Sequence, residues 1–579
     1  MPKLVLGPLL RYVGETQATV WVETDAAAEV EVLVPDAGEV RGRAPTFQVD
    51  RHHYALVLVE GLEPNRTYEY TVSLDGGQVW PEAAGEGAGF PPSTIRTLHG
   101  DHPLRLAFGS CRVAAPHRPP WTLPPAANRK GKGADALYAL ALRMRDADPD
   151  SWPDLLLLLG DQIYADDTSP EVQDFIRSRR DVRKPPKLEV ADFEEYTRLY
   201  WETWGDPVLR WLLSTVPSAM IFDDHDISDD WNTSAAWVEH MRRMPWWDER
   251  ITSGLASYWL YQHLGNLSPQ DLDEDPVWPR VRDAGDATRV LREFAFRADR
   301  EIAGTRWSYQ RDFGRTRLVV IDSRCGRVLD GGRREMVDDE EWAWIEEHTS
   351  GDFDHLLLAS SLPFALAPAI HDLEAWNEAV TDGAWGRVAA RAGEMVRQAV
   401  DLEHWAAFND SFDRLAALIE AVAAGRRGAA PGSVVVLSGD VHQTYLAELS
   451  FPGAGGEHSP AWQAVCSPLR NPLPRSQRTA HQRGFRRPAQ MMARWLARRA
   501  GVEPEAVAWR VVEGPRFENH VGELELDGRS AVLRVEQAVT PAGGEGEPRL
   551  EPLYQRRLAG GERRGPSGRS TPVGEGAEG

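Results

Sequence analysis

At 579 residues the chain is longer than one hydrophobic core serves, so more than one domain is expected. A formal net charge of −23 at pH 7 argues against non-specific binding to nucleic acid or anionic lipid, and any phosphate site would need local cations. Three cysteines, Cys111, Cys325 and Cys466, exclude a disulfide framework, and their odd number fits a reducing compartment.

The opening residues hold only a short apolar run, broken by Gly7 and Pro8, with no small-residue cleavage site after it. No secretory signal is expected, and no apolar run reaches the ~18 residues of a membrane span. The expected location is the cytoplasm. Residues 1–100 alternate apolar and polar positions in ATVWVET, EVEVLV, HYALVLV and TYEYTVSL, which predicts a small all-β, immunoglobulin- or fibronectin-like sandwich. Within Gly61–Val72, Tyr68 or Tyr70 fits the corner tyrosine of such a domain. The Pro-rich stretch Gly89–Pro103 reads as a linker.

From Leu104 buried strands alternate with helical stretches, an α/β pattern expected to occupy 104–538. Helices are predicted over Ala134–Asp146, Asp339–His348 and Phe412–Ala424. Residues 232–310, rich in Trp, Arg and Asp, read as a helical insertion whose aromatics mostly pack its own core. Val521–Gln537 reads as a hairpin turning at Asp527-Gly528. Residues 539–579 lack periodicity and are expected to be a disordered tail.

Four apolar runs in the α/β region end in metal-ligand side chains: Leu104–Arg112, Leu155–Asp167, Ala219–Trp231 and Val434–Gln443. Sites in open sheets gather beyond such strand ends, so the pattern points to a polynuclear metal site and a metallohydrolase. GDQIYADD places Asp161 at a strand end and Tyr164 three positions on. Each alone would be a turn residue and a packed aromatic; together with the other segments they become ligand candidates. FDDHDISDD follows AMIF directly, so Asp223 and Asp224 begin where buried acids need cations or strong hydrogen bonds. His225 fits a ligand, a proton donor or a satisfied structural histidine. SGDVHQ sets Asp440 and His442 two apart, which in an extended strand end would aim both the same way. Cys111 in FGSCR is a candidate thiolate ligand or a buried apolar cysteine, with Arg112 beside it for phosphate. Arg324 in IDSR is a candidate phosphate clamp or an ion-pair partner of the acids.

The ordered set SCR, GDQIYAD, DDHD…DDW, DSR and GDVH resembles the PhoD-type alkaline phosphatases of the calcineurin-like metallophosphoesterase superfamily. The resemblance covers about residues 104–538. It implies a two-sheet β-sandwich flanked by helices, and it matches the β-sandwich that precedes it. It implies that Cys111, Asp161, Tyr164, Asp224, Asp440 and His442 hold the metals, with Asp161 bridging. Oxygen-rich ligands favour Ca²⁺, with Mg²⁺ or Mn²⁺ as alternatives, and the resemblance implies Fe³⁺ at the phenolate and thiolate. One iron with one or two calcium ions would offset the charge of the deprotonated set. Here Arg112 stands where relatives often carry Gln, and Asp229-Asp230 where they often carry Asn-Asn. The resemblance implies hydrolysis of small-molecule phosphate esters, with His225 protonating the leaving group and Arg112 and Arg324 stabilising the phosphoryl charge. A phosphodiesterase for a nucleotide or phospholipid head group, and a non-catalytic metal-containing binding protein, are the alternatives. No nucleic-acid partner is expected, and no protein partner is inferred.

Overall fold

Two four-stranded antiparallel sheets form the N-terminal domain, in the orders Leu4–Val13, Gln17–Thr24, His52–Glu60, Phe47–Val49 and Val40–Pro45, Glu29–Val34, Thr71–Leu74, Gly77–Trp80. The computed structural model behind this description covers every residue except 39, 83–88, 101, 331, 454 and 561–579. Alternation decides the packing: Val30, Val32 and Val34 are buried between the sheets, while Glu29 and Glu31 point away. The Tyr68 hydroxyl accepts from the Glu63 backbone N–H at 2.9 Å, so Tyr68 is the corner tyrosine. Tyr70 instead donates to the Ser214 carbonyl at 2.7 Å, tying the domain to the next one.

The larger domain stacks two sheets. The first has six strands in the order Ser218–Ile221, Leu155–Leu159, Leu104–Gly109, His520–Asp527, Ser530–Val539, Arg549–Ala559. The second has seven: Tyr309–Phe313, Thr316–Val320, His355–Ala359, Ser433–Ser438, Ala461–Val465, Thr444–Ser450, Ala508–Arg516. Strands that carry candidate site residues are parallel to one another within each sheet, so their carboxyl ends lie on one side. Each is covered on both faces, which is why it reads as an unbroken apolar run. Leu357 and Ala359 join Leu157 and Leu159 in the core between the sheets. Leu356 and Leu358 join Ile345 and Leu415, on the helices Asp339–His348 and Asn409–Ala423, outside.

The helix predicted over 134–146 spans Ala136–Arg145, begun by the Asp135 side chain, which accepts from the Leu137 and Tyr138 N–H groups. The predicted hairpin is present, with Asp527 paired to Ser530. The insertion is helical, and its Trp247, Trp259 and Trp307 are core residues. The tail departs from expectation. Arg549–Ala559 is an edge strand paired with Ser530–Val539, and Pro552 falls where the register shifts, a position an edge strand tolerates. Glycine and glutamate around it hide its weak alternation. Residues 561–579 lie outside the described residues. Among the described residues, no helix is long and apolar enough to cross a membrane.

Arg11 locks the N-terminal domain to the insertion. Its buried guanidinium donates to the Tyr261 and Gln262 carbonyls, each at 2.6 Å, in the π-helical turn Trp259–His263. Beside it, the Tyr261 hydroxyl donates to Glu23 at 2.9 Å. Arg11→Met keeps most of the volume and strands those carbonyls. We expect a loss of about 3 kcal/mol, seen as a lower denaturant midpoint; an unchanged midpoint would show that the guanidinium does not hold the interface.

Candidate metal centre

The carboxyl ends of three strands in the first sheet and one in the second meet at the seam between the sheets. Two glycines make the approach close enough. A Cβ on Gly439 would stand 2.2 Å from the Ser110 hydroxyl, and one on Gly160, whose φ is +100°, would stand 2.6 Å from the Asp223 Cβ. With those side chains absent, the Asp440 N–H donates to Ser110 Oγ at 3.0 Å. Asp226 then fastens two loops together: one carboxylate oxygen accepts from the N–H of Asp161 at 3.0 Å and of Asp223 at 2.9 Å. Cys111, Asp161, Asp440 and His442 all have left-handed backbone, with φ of 55°, 51°, 61° and 47°. Such a conformation is uncommon outside glycine and costly for cysteine and histidine, so strain is concentrated at this seam.

The ligand atoms fall into overlapping groups, each within 4.8 Å: Cys111, Asp161 and His442; Asp161, Asp224 and His225; and Asp223, Asp224 and Asp440. Asp161 is common to the first two. Asp440 and His442 face different groups, contrary to the extended-strand expectation, because both lie in left-handed backbone past the strand end at Ser438. The Tyr164 hydroxyl donates to Asp161 at 3.3 Å and accepts from the Asn471 amide at 3.1 Å. His225, a quarter exposed, holds Asp166 through Nδ1 at 2.9 Å, and its ring lies 4.8 Å from that of Tyr164.

Arg112 and Arg324, expected at the phosphate, are both ion-paired with buried carboxylates, and Arg112 also lines the cavity that begins at Tyr164. Arg112 is buried and donates to Asp135 at 2.7 and 3.0 Å and to Thr203. Arg324 is fully buried among Asp223, Asp224 and Glu403. Burial without counter-charge would cost more than either guanidinium could recover, so each takes the nearest carboxylate. His404, absent from the sequence reading, spans Glu374 at 2.7 Å and Asp440 at 3.0 Å and fixes the Asp440 carboxylate. It follows no strand and belongs to no spaced motif, so no pattern exposed it.

The electrostatics call for cations. Burial first, then the neighbouring carboxylates, push Asp161 and Asp223 far above the ordinary carboxylate range, and the Cys111 thiol and Tyr164 phenol far above theirs. Burial holds His442 down at about 4, leaving a neutral imidazole with a free lone pair. Asp161 Oδ1 and Asp223 Oδ2 are buried without a hydrogen-bond partner, and Asp224 Oδ1 has only the Arg324 guanidinium at 3.1 Å. Bound cations would satisfy those atoms and reverse the repulsion, so the donor set fits a metal centre.

Fold and site together are those of a metal-dependent phosphoester hydrolase. The model of the PhoD-like phosphatase family matches residues 135–502, more than half of the chain, and the chain belongs to that family. Residues 1–95 match a domain of unknown function, DUF7800. A solved structure titled "Structure of PhoD" superposes with a TM-score of 0.56 at 14% identity, covering 97% of this chain and 93% of that one, which shows a shared fold. No curated protein matches. Cys111 lies ahead of the family match but reaches the same seam.

If cations hold this seam together, stripping them with a chelator should lower the melting temperature, and adding back Ca²⁺ should restore it. At a free ion concentration a hundredfold above Kd the gain is about 2.7 kcal/mol. A melting curve indifferent to exhaustive chelation and to added metals would remove the seam as a metal site.

Proposed function

We propose that the chain hydrolyses phosphate esters at a centre in which Cys111, Asp161, Tyr164, Asp224, Asp440 and His442 hold one Fe³⁺ and one or two Ca²⁺ ions. The observation that carries this reading is the gathering of one thiol, one phenol, one neutral imidazole and a cluster of carboxylates, two of their oxygens orphaned, at a single seam. When bound, the cations supply Lewis acidity toward the phosphoryl oxygens and activate water for attack. Asp161, shared between two groups, spans the two parts of the centre. His404 and Asn471 orient Asp440 and Tyr164.

His225 supplies the proton. Burial opposes its charged form, and the Asp166 carboxylate hydrogen-bonded to Nδ1 favours it. Asp166 engages Nδ1, which leaves Nε2, 3.8 Å from Asp229, as the nitrogen available to an incoming ester. An exposed edge on a ring anchored by a carboxylate is what a general acid needs. With Arg112 and Arg324 engaged in ion pairs, Lys132 is the cation we assign to the mouth: its amine donates to Asn471 at 3.2 Å, which in turn contacts Tyr164.

A cavity of about 820 Å³ begins at Tyr164 and is lined by Lys132, Trp121, Arg198 and Trp201. That volume and those aromatics favour an ester with a bulky leaving group, so a phosphodiester of a nucleotide or lipid head group is the second reading. Rates on matched mono- and diesters separate the two. Metal content without turnover on either would leave only a binding protein.

His225→Ala is expected to spare metal content and to slow alkyl phosphates by roughly 10²–10⁴-fold, with smaller losses on nitrophenyl phosphate, whose leaving group needs little protonation. Equal losses on both substrates would reject the proton-donor role. Tyr164→Phe keeps the ring and removes the oxygen. Native protein should be coloured by a phenolate-to-iron charge-transfer band, and the variant should lose it. Colourless native protein with stoichiometric iron would strike Tyr164 from the ligand set.

A further inference from the structure

Helices Arg475–Gly484 and Arg487–Arg499 form a pair unlike the rest of the surface. Residues 475–499 hold eight arginines and no acidic residue, in a chain of net charge −23. The second helix packs on Pro368–Thr381 and buries only Ala493 and Ala497. Met491, Met492 and Trp495 are 74%, 59% and 56% exposed, and their spacing sets them on one face. The Arg499 guanidinium lies over the Trp495 ring at 5.2 Å. The Trp385 indole, itself 43% exposed, donates to the Arg499 carbonyl at 3.2 Å and extends the apolar surface. Carboxylates do little to neutralise the arginines. Arg478 pairs with Glu518, Arg494 reaches Asp372 only at 3.8 Å, and among the described residues Arg483, Arg486, Arg487 and Arg498 have no carboxylate at salt-bridge distance.

We propose that this face docks on an anionic lipid bilayer. Met491, Met492 and Trp495 would enter the headgroup region while the arginines beside them meet lipid phosphates, the division of labour of a basic amphipathic helix lying in an interface. Charge complementarity selects the occupant. A nucleic acid would satisfy the arginines but leave two methionines in water, whereas a bilayer accepts both. The net negative charge does not forbid it, because charges farther than about 8 Å from the contact are screened at physiological salt. Total charge, which argues against anionic lipid, is an average over the whole surface and does not address this face.

Flotation of the full chain with phosphatidylcholine vesicles, with and without phosphatidylglycerol, tests this. Binding should need phosphatidylglycerol and weaken with salt. Each basic residue near such a surface contributes about fivefold. The charge reversal R486E/R487E should therefore lower partitioning at least tenfold, and M491S/M492S/W495S should do the same by removing the apolar contact. All of these positions are exposed, so melting curves should match the native protein. Three results would each overturn the proposal: no binding to phosphatidylglycerol vesicles, equal binding to phosphatidylcholine alone, or single-stranded DNA binding that exceeds vesicle binding and ignores the apolar variant.

Discussion

Asp223, Asp224 and Asp440 hold carboxylate oxygens within 4.8 Å of one another, and Asp161 shares a second such group with Asp224, at a largely buried seam. Arg324 neutralises part of that charge and His404 steadies another part, but Asp161 Oδ1 and Asp223 Oδ2 keep no partner. Like charges held together in a low-dielectric site either take up protons or take up cations. The surrounding architecture follows from keeping that charge in place. The strands that lead into the site are buried on both faces, so the loops beyond them have little freedom to relax apart. Two glycines set the separation, and Asp226 ties the loops on the first sheet to each other.

The N-terminal domain contributes to the same rigidity from a distance. Arg11 and Tyr70 attach it to the elements that lead into the FDDHD loop, since Ser214 precedes that loop's strand and Tyr261 adjoins Gln262, whose amide donates to Asp226 at 3.0 Å. A continuous run of hydrogen bonds thus connects the sandwich to the carboxylates. This is a structural coupling, in which the domain buttresses the loop that bears the acids.

Much of this was legible in the sequence, for physical reasons. Leu155–Leu159 and Val434–Leu437 are apolar at every position because both faces of their sheets are covered, and a carboxylate directly after such a run has few innocent explanations. Tyr68 and Tyr70 could not be told apart until the loop geometry placed Glu63 beneath one hydroxyl. Arg112 and Arg324 could not be assigned from sequence because a strand-end arginine looks the same whether it faces substrate or a buried acid. His404 depended on a loop packing back across the seam, a long-range fact. Arg549–Ala559 is held by its neighbour strand and not by its own pattern. The Arg-rich helices were passed over because total charge averages them away.

The order of strands in the first sheet sets a constraint on how the protein is made. Leu104–Gly109, which leads to Cys111, lies between Leu155–Leu159 and His520–Asp527. One neighbour follows within some fifty residues; the other is synthesised about four hundred residues later. At translation rates of ~5–20 residues per second, that edge stays open for tens of seconds, a template on which other strands can pair. A nascent chain therefore carries a half-built centre with an unprotected strand beside it. Contacts of such long sequence separation are also the slowest to form. Expression conditions that slow elongation, or truncations that remove the strands after residue 502, would prolong or make permanent the exposure of the strand that precedes Cys111.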